Sequence, residues 1–184
     1  MKKLGHKTSP TGEIFFNDLK VHKSQILGQE GEGFKGMLAH LDIERILAAP
    51  LYYGLAAACL EDSIAYAKKR YQFGKPIAEF QLIQEKIANM ITGIEIARNY
   101  TFKALWMAER GKRVTLEASI AKYFSSELAV KSALEAVQIF GGYGYINEYP
   151  VERYLRDAKL FVIGGGTSEI QKQIIAREAY RLHK

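Results

Sequence analysis

The segment Leu41-Asp42-Ile43-Glu44-Arg45-Ile46-Leu47 holds the residues best placed for chemistry. On a helix the neighbours of Glu44 stand three, four and seven positions away. They are Met37, Leu41, Leu47, Ala48 and Leu51, with His40 the one polar member, so Glu44 interrupts an apolar stripe. A charged, unpaired carboxylate in such surroundings costs several kcal/mol, which favours the protonated acid and suits a general base working near neutral pH. A second reading has Glu44 paired with Arg45 or a distant lysine at the stripe edge. Asp42 and Arg45, spaced i,i+3, read as a helix-surface ion pair worth a few tenths of a kcal/mol.

Two glycine clusters offer backbone rather than side chains. Gly164-Gly165-Gly166-Thr167-Ser168-Glu169 opens the last helix, where free N–H groups could meet a phosphate or a thioester carbonyl. A tight turn explains the same residues. Gly141-Gly142-Tyr143-Gly144-Tyr145 is either a bend or a place where a planar ligand meets backbone. No strand precedes it, so it is not a dinucleotide fingerprint.

Helices must position these groups. Helical spacing predicts a first long helix from about Phe34 to Tyr71, kinked near Pro50 and ended by Phe73-Gly74-Lys75-Pro76. A second is expected over Phe80 to Arg110, where Leu82, Ile83, Ile87, Met90, Ile91 and Ile94 trace a stripe, with Gly111 as its stop. A third runs from Thr115, as N-cap, to Phe140; Pro150 opens a shorter fourth; the last starts at Thr167 or Ser168 and ends near Leu182. Brief connections between them describe an all-α antiparallel bundle. Before it, Glu13 to Val21 carries a strand signal, although one strand cannot bury its face alone. Gly28, Gly31 and Gly33 mark a loop, so residues 1–27 form one unit and 28–184 the helical domain.

Composition narrows the function classes. At 184 residues the chain can bury a core without staples. Its one cysteine, Cys59, excludes an internal disulfide framework and fits a reducing compartment, a bacterial or archaeal cytoplasm or a mitochondrial matrix. No apolar run approaches the ~18 residues of a membrane span, and Met1-Lys2-Lys3 leads into no signal-like core. The net charge of +6 is scattered in Lys68-Lys69-Arg70, Lys112-Arg113 and Arg153 to Lys159, which fits solvated helix faces or attraction to a phosphate-bearing ligand better than a nucleic-acid stripe. None of the four histidines has a glutamate three residues before it, which disfavours a di-iron bundle, and no metal is expected.

With these residues in view, the chain resembles the acyl-CoA dehydrogenase family, its isovaleryl-CoA dehydrogenase branch in particular. The matching segments run in order from Leu19-Lys20-Val21 and Leu27 to Phe34, through Leu41 to Ala49, Arg70 to Pro76 with Phe80-Gln81, and Gln138 to Tyr145, to Tyr154 to Lys159 and Gly166 to Ile170. The resemblance implies that the first residues are the last strand of the family's middle β-domain and the rest its carboxy-terminal helical domain. It implies FAD as cofactor, with Arg70, Phe73, Gln138, Gly141 and Gly142 reaching the flavin nucleotide of a neighbouring subunit. Thr167 and Glu169 match contacts to the flavin in the same subunit, and Arg45 a residue beside the acyl-CoA site.

Many members carry the catalytic glutamate just before the Gly-Thr of the last helix, where this chain has Gly165. Isovaleryl-like members place it at the position of Glu44, which selects Glu44 as the base. Gly164 and Gly165 then leave room near the reacting carbons for a branched short acyl chain. Further implications are a dimer or tetramer built through the helical domain and electron transfer to an electron-transfer flavoprotein. Whole members are much longer, so a truncated product or one chain of a split enzyme is expected to bind FAD weakly and turn over little. The competing readings are a non-catalytic assembly module and an acyl-CoA oxidase.

Overall fold

A computed structural model describes residues 1–183, without the side chain of Ala39; Lys184, the last residue of the expected helical domain, lies outside the described residues. Five helices make the bundle: α1 Gly33–Lys69, α2 Gln81–Glu109, α3 Thr115–Phe140, α4 Val151–Phe161 and α5 Ser168–Leu182. Helix α3 is the axis, in contact with the other four. Nine of its twelve buried positions are alanine or serine, among them Ala118, Ser119, Ala121, Ser125, Ser126, Ala129, Ala133 and Ala136. Small side chains at a crossing shorten the distance between helix axes, so neighbours can close on every side of α3.

Apart from Ile139 and Phe140, at the end of α3 itself, the large core residues are brought to α3 by the other elements. Tyr52 of α1 packs 4.4 Å, centroid to centroid, from Phe161 of α4, and Tyr66 stacks on Phe140 at 4.1 Å. Leu60, Met90, Ile94 and Ile139 fill the seam of α1, α2 and α3. Each such side chain contributes roughly 1.5–3 kcal/mol on burial. Cys59 is fully buried, and burial first, then the charge of Asp62, pushes its thiol up to about 12. It is a packing residue, as its small neighbours predict.

Several local expectations change. Helix α1 continues through Pro50 as one helix, although proline removes the N–H that the carbonyl of Ile46 would accept four residues earlier. By length and composition alone α1 is apolar enough to cross a membrane, a test that the core helix of a bundle also passes. Here it packs on α2, α3 and α4. Thr115 is the first residue of α3 rather than its N-cap, which is Val114, and its hydroxyl donates to Asp42 instead. Residues 13–21 form no strand: Ile14, Phe15, Phe16 and Leu19 are exposed and irregular, because a ladder needs a second edge that this chain does not offer them.

The residues expected to end the first helix form a hairpin, and α1 stops at Lys69, two residues before the expected Tyr71. Strands β1 Tyr71–Gln72 and β2 Lys75–Pro76 pair antiparallel across Phe73-Gly74, whose φ angles are 51° and 80°. Both central residues of a two-residue hairpin of this kind require positive φ, and phenylalanine accepts it at a cost in strain.

Helix α5 is fastened by charge. Glu178 is buried and accepts from Arg113 at 2.8 Å and pairs with Arg181 at 3.0 Å. Hydrogen bonding from Arg113 and the surrounding arginine charges hold its carboxyl below the usual range. A lowered carboxyl stabilises the fold fully above the unfolded value near 4.5 and loses that contribution as pH falls through the lower folded value. Glu178→Gln is therefore expected to flatten the acid limb of a stability–pH curve measured by chemical denaturation. Gly144→Ala probes packing instead: an added Cβ would lie 2.5 Å from the Val137 carbonyl, so a loss of about 1–3 kcal/mol is expected in the same measurement.

Candidate active site

Helix α1, the turn after α4 and the first half of α3 line a cavity of about 290 Å³ that is open on one side. Glu44, Arg45, Gly164 and Gly165 all line it, so the structure brings together the predicted base and every predicted substrate residue. Ala48, Leu51 and Tyr52 add an apolar wall. Burial first, then the negative charge of Glu44, pushes the Tyr52 hydroxyl up.

The apolar stripe around Glu44 exists but faces outward. Glu44 is exposed, and Met37, Leu47 and Leu51 are 54%, 60% and 60% exposed. The enclosure expected around the carboxylate is thus only half present, because this chain supplies one wall. Arg45 does not pair with it. Its guanidinium is buried, donates from Nη1 to Asp42 Oδ1 at 3.2 Å, and from Nε to the Gly165 carbonyl at 3.4 Å. The Asp42–Arg45 pair is thus no surface pair. Arg45's side chain is 8% exposed, and Asp42 is oriented by Thr115 Oγ1 at 2.6 Å.

Three donors converge on the glycine turn. Besides Arg45, Lys122 Nζ reaches the Gly166 carbonyl at 2.7 Å, and Gln171 Nε2 reaches the carbonyls of Gly165 and Gly166 at 3.2 and 3.1 Å. Gly165 and Gly166 have φ of 65° and 93°, and a Cβ on Gly166 would meet Gln171 Nε2 at 2.6 Å. Glycine is needed at both positions, for conformation at Gly165 and for conformation and space at Gly166. Burial, then the charge of Arg45, lowers the Lys122 ammonium to about 8. Thr167 caps α5, its Oγ1 accepting from the Ile170 amide at 3.4 Å. Glu169 is exposed, its carboxyl held low by hydrogen bonds from its own amide and from Thr167.

The remaining predicted cofactor residues form a second cluster. Arg70 lies 5.8 Å from the Tyr143 ring centroid and lines a cavity of about 510 Å³ with Tyr66, Phe140 and Tyr149. Gly141 and Gly142 have open space where a Cβ would stand, Gln138 is exposed, and Phe73 is 91% exposed at the hairpin tip. An exposed arginine, an exposed ring and bare backbone suit a planar nucleotide with a diphosphate. These groups lie on the chain's surface, which fits FAD held against another surface.

Sequence reasoning missed Lys122, Tyr52, Gln171 and His6 of this region. Lys122 left a signal: its helical neighbours Ala118, Ser119, Ser125 and Ser126 are all small, which marks a buried face. His6 left none, since its place on the cavity wall depends on Asp157, whose carboxylate accepts from its amide at 2.6 Å.

Residues 31–180 match the model of the acyl-CoA dehydrogenase carboxy-terminal domain. A probable acyl-CoA dehydrogenase of Bacillus subtilis is 49% identical over 176 residues, 96% of this chain and 46% of the relative. The mitochondrial isovaleryl-CoA dehydrogenase of rice is 43% identical over 181 residues, 98% of this chain and 44% of the relative. The butyryl-CoA dehydrogenase structure from Megasphaera elsdenii superimposes with a TM-score of 0.94 at 46% identity, covering 98% of this chain and 47% of that one. This chain therefore spans about half the length of the relatives it matches. Asp42→Ala would strand the buried Arg45 charge, and a loss of about 2 kcal/mol in unfolding free energy is expected, with Asp42→Asn losing less.

Proposed function

Because this chain belongs to the acyl-CoA dehydrogenase family, we propose that it supplies the catalytic base and half of the substrate chamber for α,β-dehydrogenation of an acyl-CoA thioester. The observation that carries this reading is the shared cavity of Glu44, Arg45 and the Gly164–Gly166 turn, with a glycine and no second carboxylate at position 165. Glu44 removes a proton from the carbon next to the thioester carbonyl. Bound FAD supplies the acceptor, at its N5, for the hydride leaving the adjacent carbon, and the product is a trans-enoyl thioester.

The chain's residues do the rest. Among the described residues no hydrogen bond from the Gly165 amide is found, so it is available to the thioester carbonyl as charge develops there. A neighbouring groove of about 850 Å³ carries Lys35, Arg45, Arg113 and Arg177, of which the first three pair with Glu32, Asp42 and Glu178 and, among the described residues, Arg177 is left over. This surplus of positive charge suits the phosphates of the CoA portion. Arg70, Phe73, Gln138, Gly141 and Gly142 would hold the flavin nucleotide of a second copy, and Thr167 and Glu169 the flavin of the same copy. Gly164 and Gly165 leave room for a branched short acyl chain.

Two of the similar proteins bear on the acceptor and on the acyl group. A solved structure of the electron-transferring flavoprotein of Acidaminococcus fermentans superimposes with a TM-score of 0.95 at 41% identity, covering 98% of this chain and 48% of that one. An electron-transfer flavoprotein is accordingly proposed as the acceptor. The rice relative named above acts, by its name, on isovaleryl-CoA.

In the flavin-loaded enzyme, Glu44→Gln is expected to lower kcat by about 10³-fold or more while thioester binding persists. Undiminished turnover would remove Glu44 from the role. Steady-state rates across straight and branched acyl-CoAs check the chain length, with branched short acyl groups expected to be preferred.

A further inference from the structure

Lys122 is a cation that the dehydrogenation chemistry above leaves unused. It is fully buried in the first half of α3, and no carboxylate pairs with it among the described residues. Arg45 on α1 adds repulsion, while Glu127 on α3 and Glu169 on α5 offer only weaker, unpaired attraction. A buried ammonium without an ion-pair partner is expensive, and a methionine of similar length would fill the space without that cost. What the lysine adds is one charge-assisted hydrogen bond, to the Gly166 carbonyl at 2.7 Å. Its stem meanwhile lies under Gly165, with Cε 3.9 Å from where a Cβ would stand.

The geometry points to Lys122 as a positioning residue for the reaction: its bond to Gly166 holds the Gly164–Gly166 turn so that the Gly165 amide stays at the edge of the Glu44 cavity. This rests on the dehydrogenase reading. Glycine turns with positive φ have many competing conformations, so a chain with two such residues in succession needs an external tether to keep one of them. Arg45 and Gln171 tether Gly165 and Gly166 from α1 and α5, and Lys122 adds the tether from the bundle axis.

The test compares the unaltered chain with Lys122→Met and Lys122→Gln, the second of which keeps a donor without the charge. Hydrogen–deuterium exchange of the Gly164 and Ser168 amides, which close the turn onto the Leu160 and Val162 carbonyls, is expected to rise about ten-fold or more in Lys122→Met, and less in Lys122→Gln, with α3 amides unchanged. With flavin loaded, kcat is expected to fall by about ten-fold or more in Lys122→Met while KM moves less than about three-fold. Equal protection of the turn in Lys122→Met, or an unchanged kcat, overturns the proposal. Should Lys122→Met fail to fold, nitrogen NMR of the unaltered chain decides, because a scalar coupling must join Lys122 Nζ to the Gly166 carbonyl carbon. Absence of that coupling overturns the proposal too. Failure of the unaltered protein to bind a non-reactive acyl-CoA thioether would instead sink the dehydrogenase reading, leaving the exchange result to judge Lys122.

Discussion

Close packing around α3 is the constraint on which the other features depend. A helix surrounded by four others favours small side chains on its buried faces, and α3 meets this with alanine and serine everywhere but at Lys122, Ile139 and Phe140. The large apolar residues then belong to the outer helices, and their positions are set by how far each outer helix can close. Both clusters of chemical interest lie where α3 and its neighbours meet: Lys122 faces the turn before α5, and Phe140 ends α3 beside Tyr66 and Tyr149. A larger side chain at Ala129 or Ala133 would displace α1 and α4 together, and with them the register between Glu44 and the glycine turn.

The helices were legible in the sequence because their signals are local. Apolar spacing, Gly111, Pro150 and the Thr167 cap placed the five helix starts, and every helix end but that of α4, for which none was assigned, to within about two residues. The hairpin at Phe73-Gly74 was not legible, since phenylalanine argues against a left-handed position and only the pairing of β1 with β2 holds it there. The strand signal at 13–21 reflects composition correctly, but composition cannot provide a pairing edge.

At the site, the glutamate and the glycine turn were found because each departs from its own neighbourhood: a carboxylate in an apolar stripe, three glycines in a row. Burial of Arg45 was not visible, because an i,i+3 pair looks the same on a surface as under a third helix. The setting of Glu44 shows a related limit. A helical stripe tells which residues share a face, but what covers that face depends on elements outside the stripe. Tethers such as Lys122 and Gln171 act across 44 and 6 residues respectively, and only the first is beyond the range of local pattern.

The hairpin at the end of α1 has an entropic consequence. A mobile loop presenting an aromatic ring must give up its backbone freedom when the ring is covered, at roughly 1–2 kcal/mol per residue. Phe73 is carried on a paired, two-residue hairpin whose dihedral angles are already fixed, so that loss is incurred on folding rather than on contact. The strain of its positive φ is charged to the stability of the bundle, and the exposed ring meets whatever covers it as a rigid body. Nearly the whole apolar gain of covering that ring, about 2–3 kcal/mol, is then left to affinity.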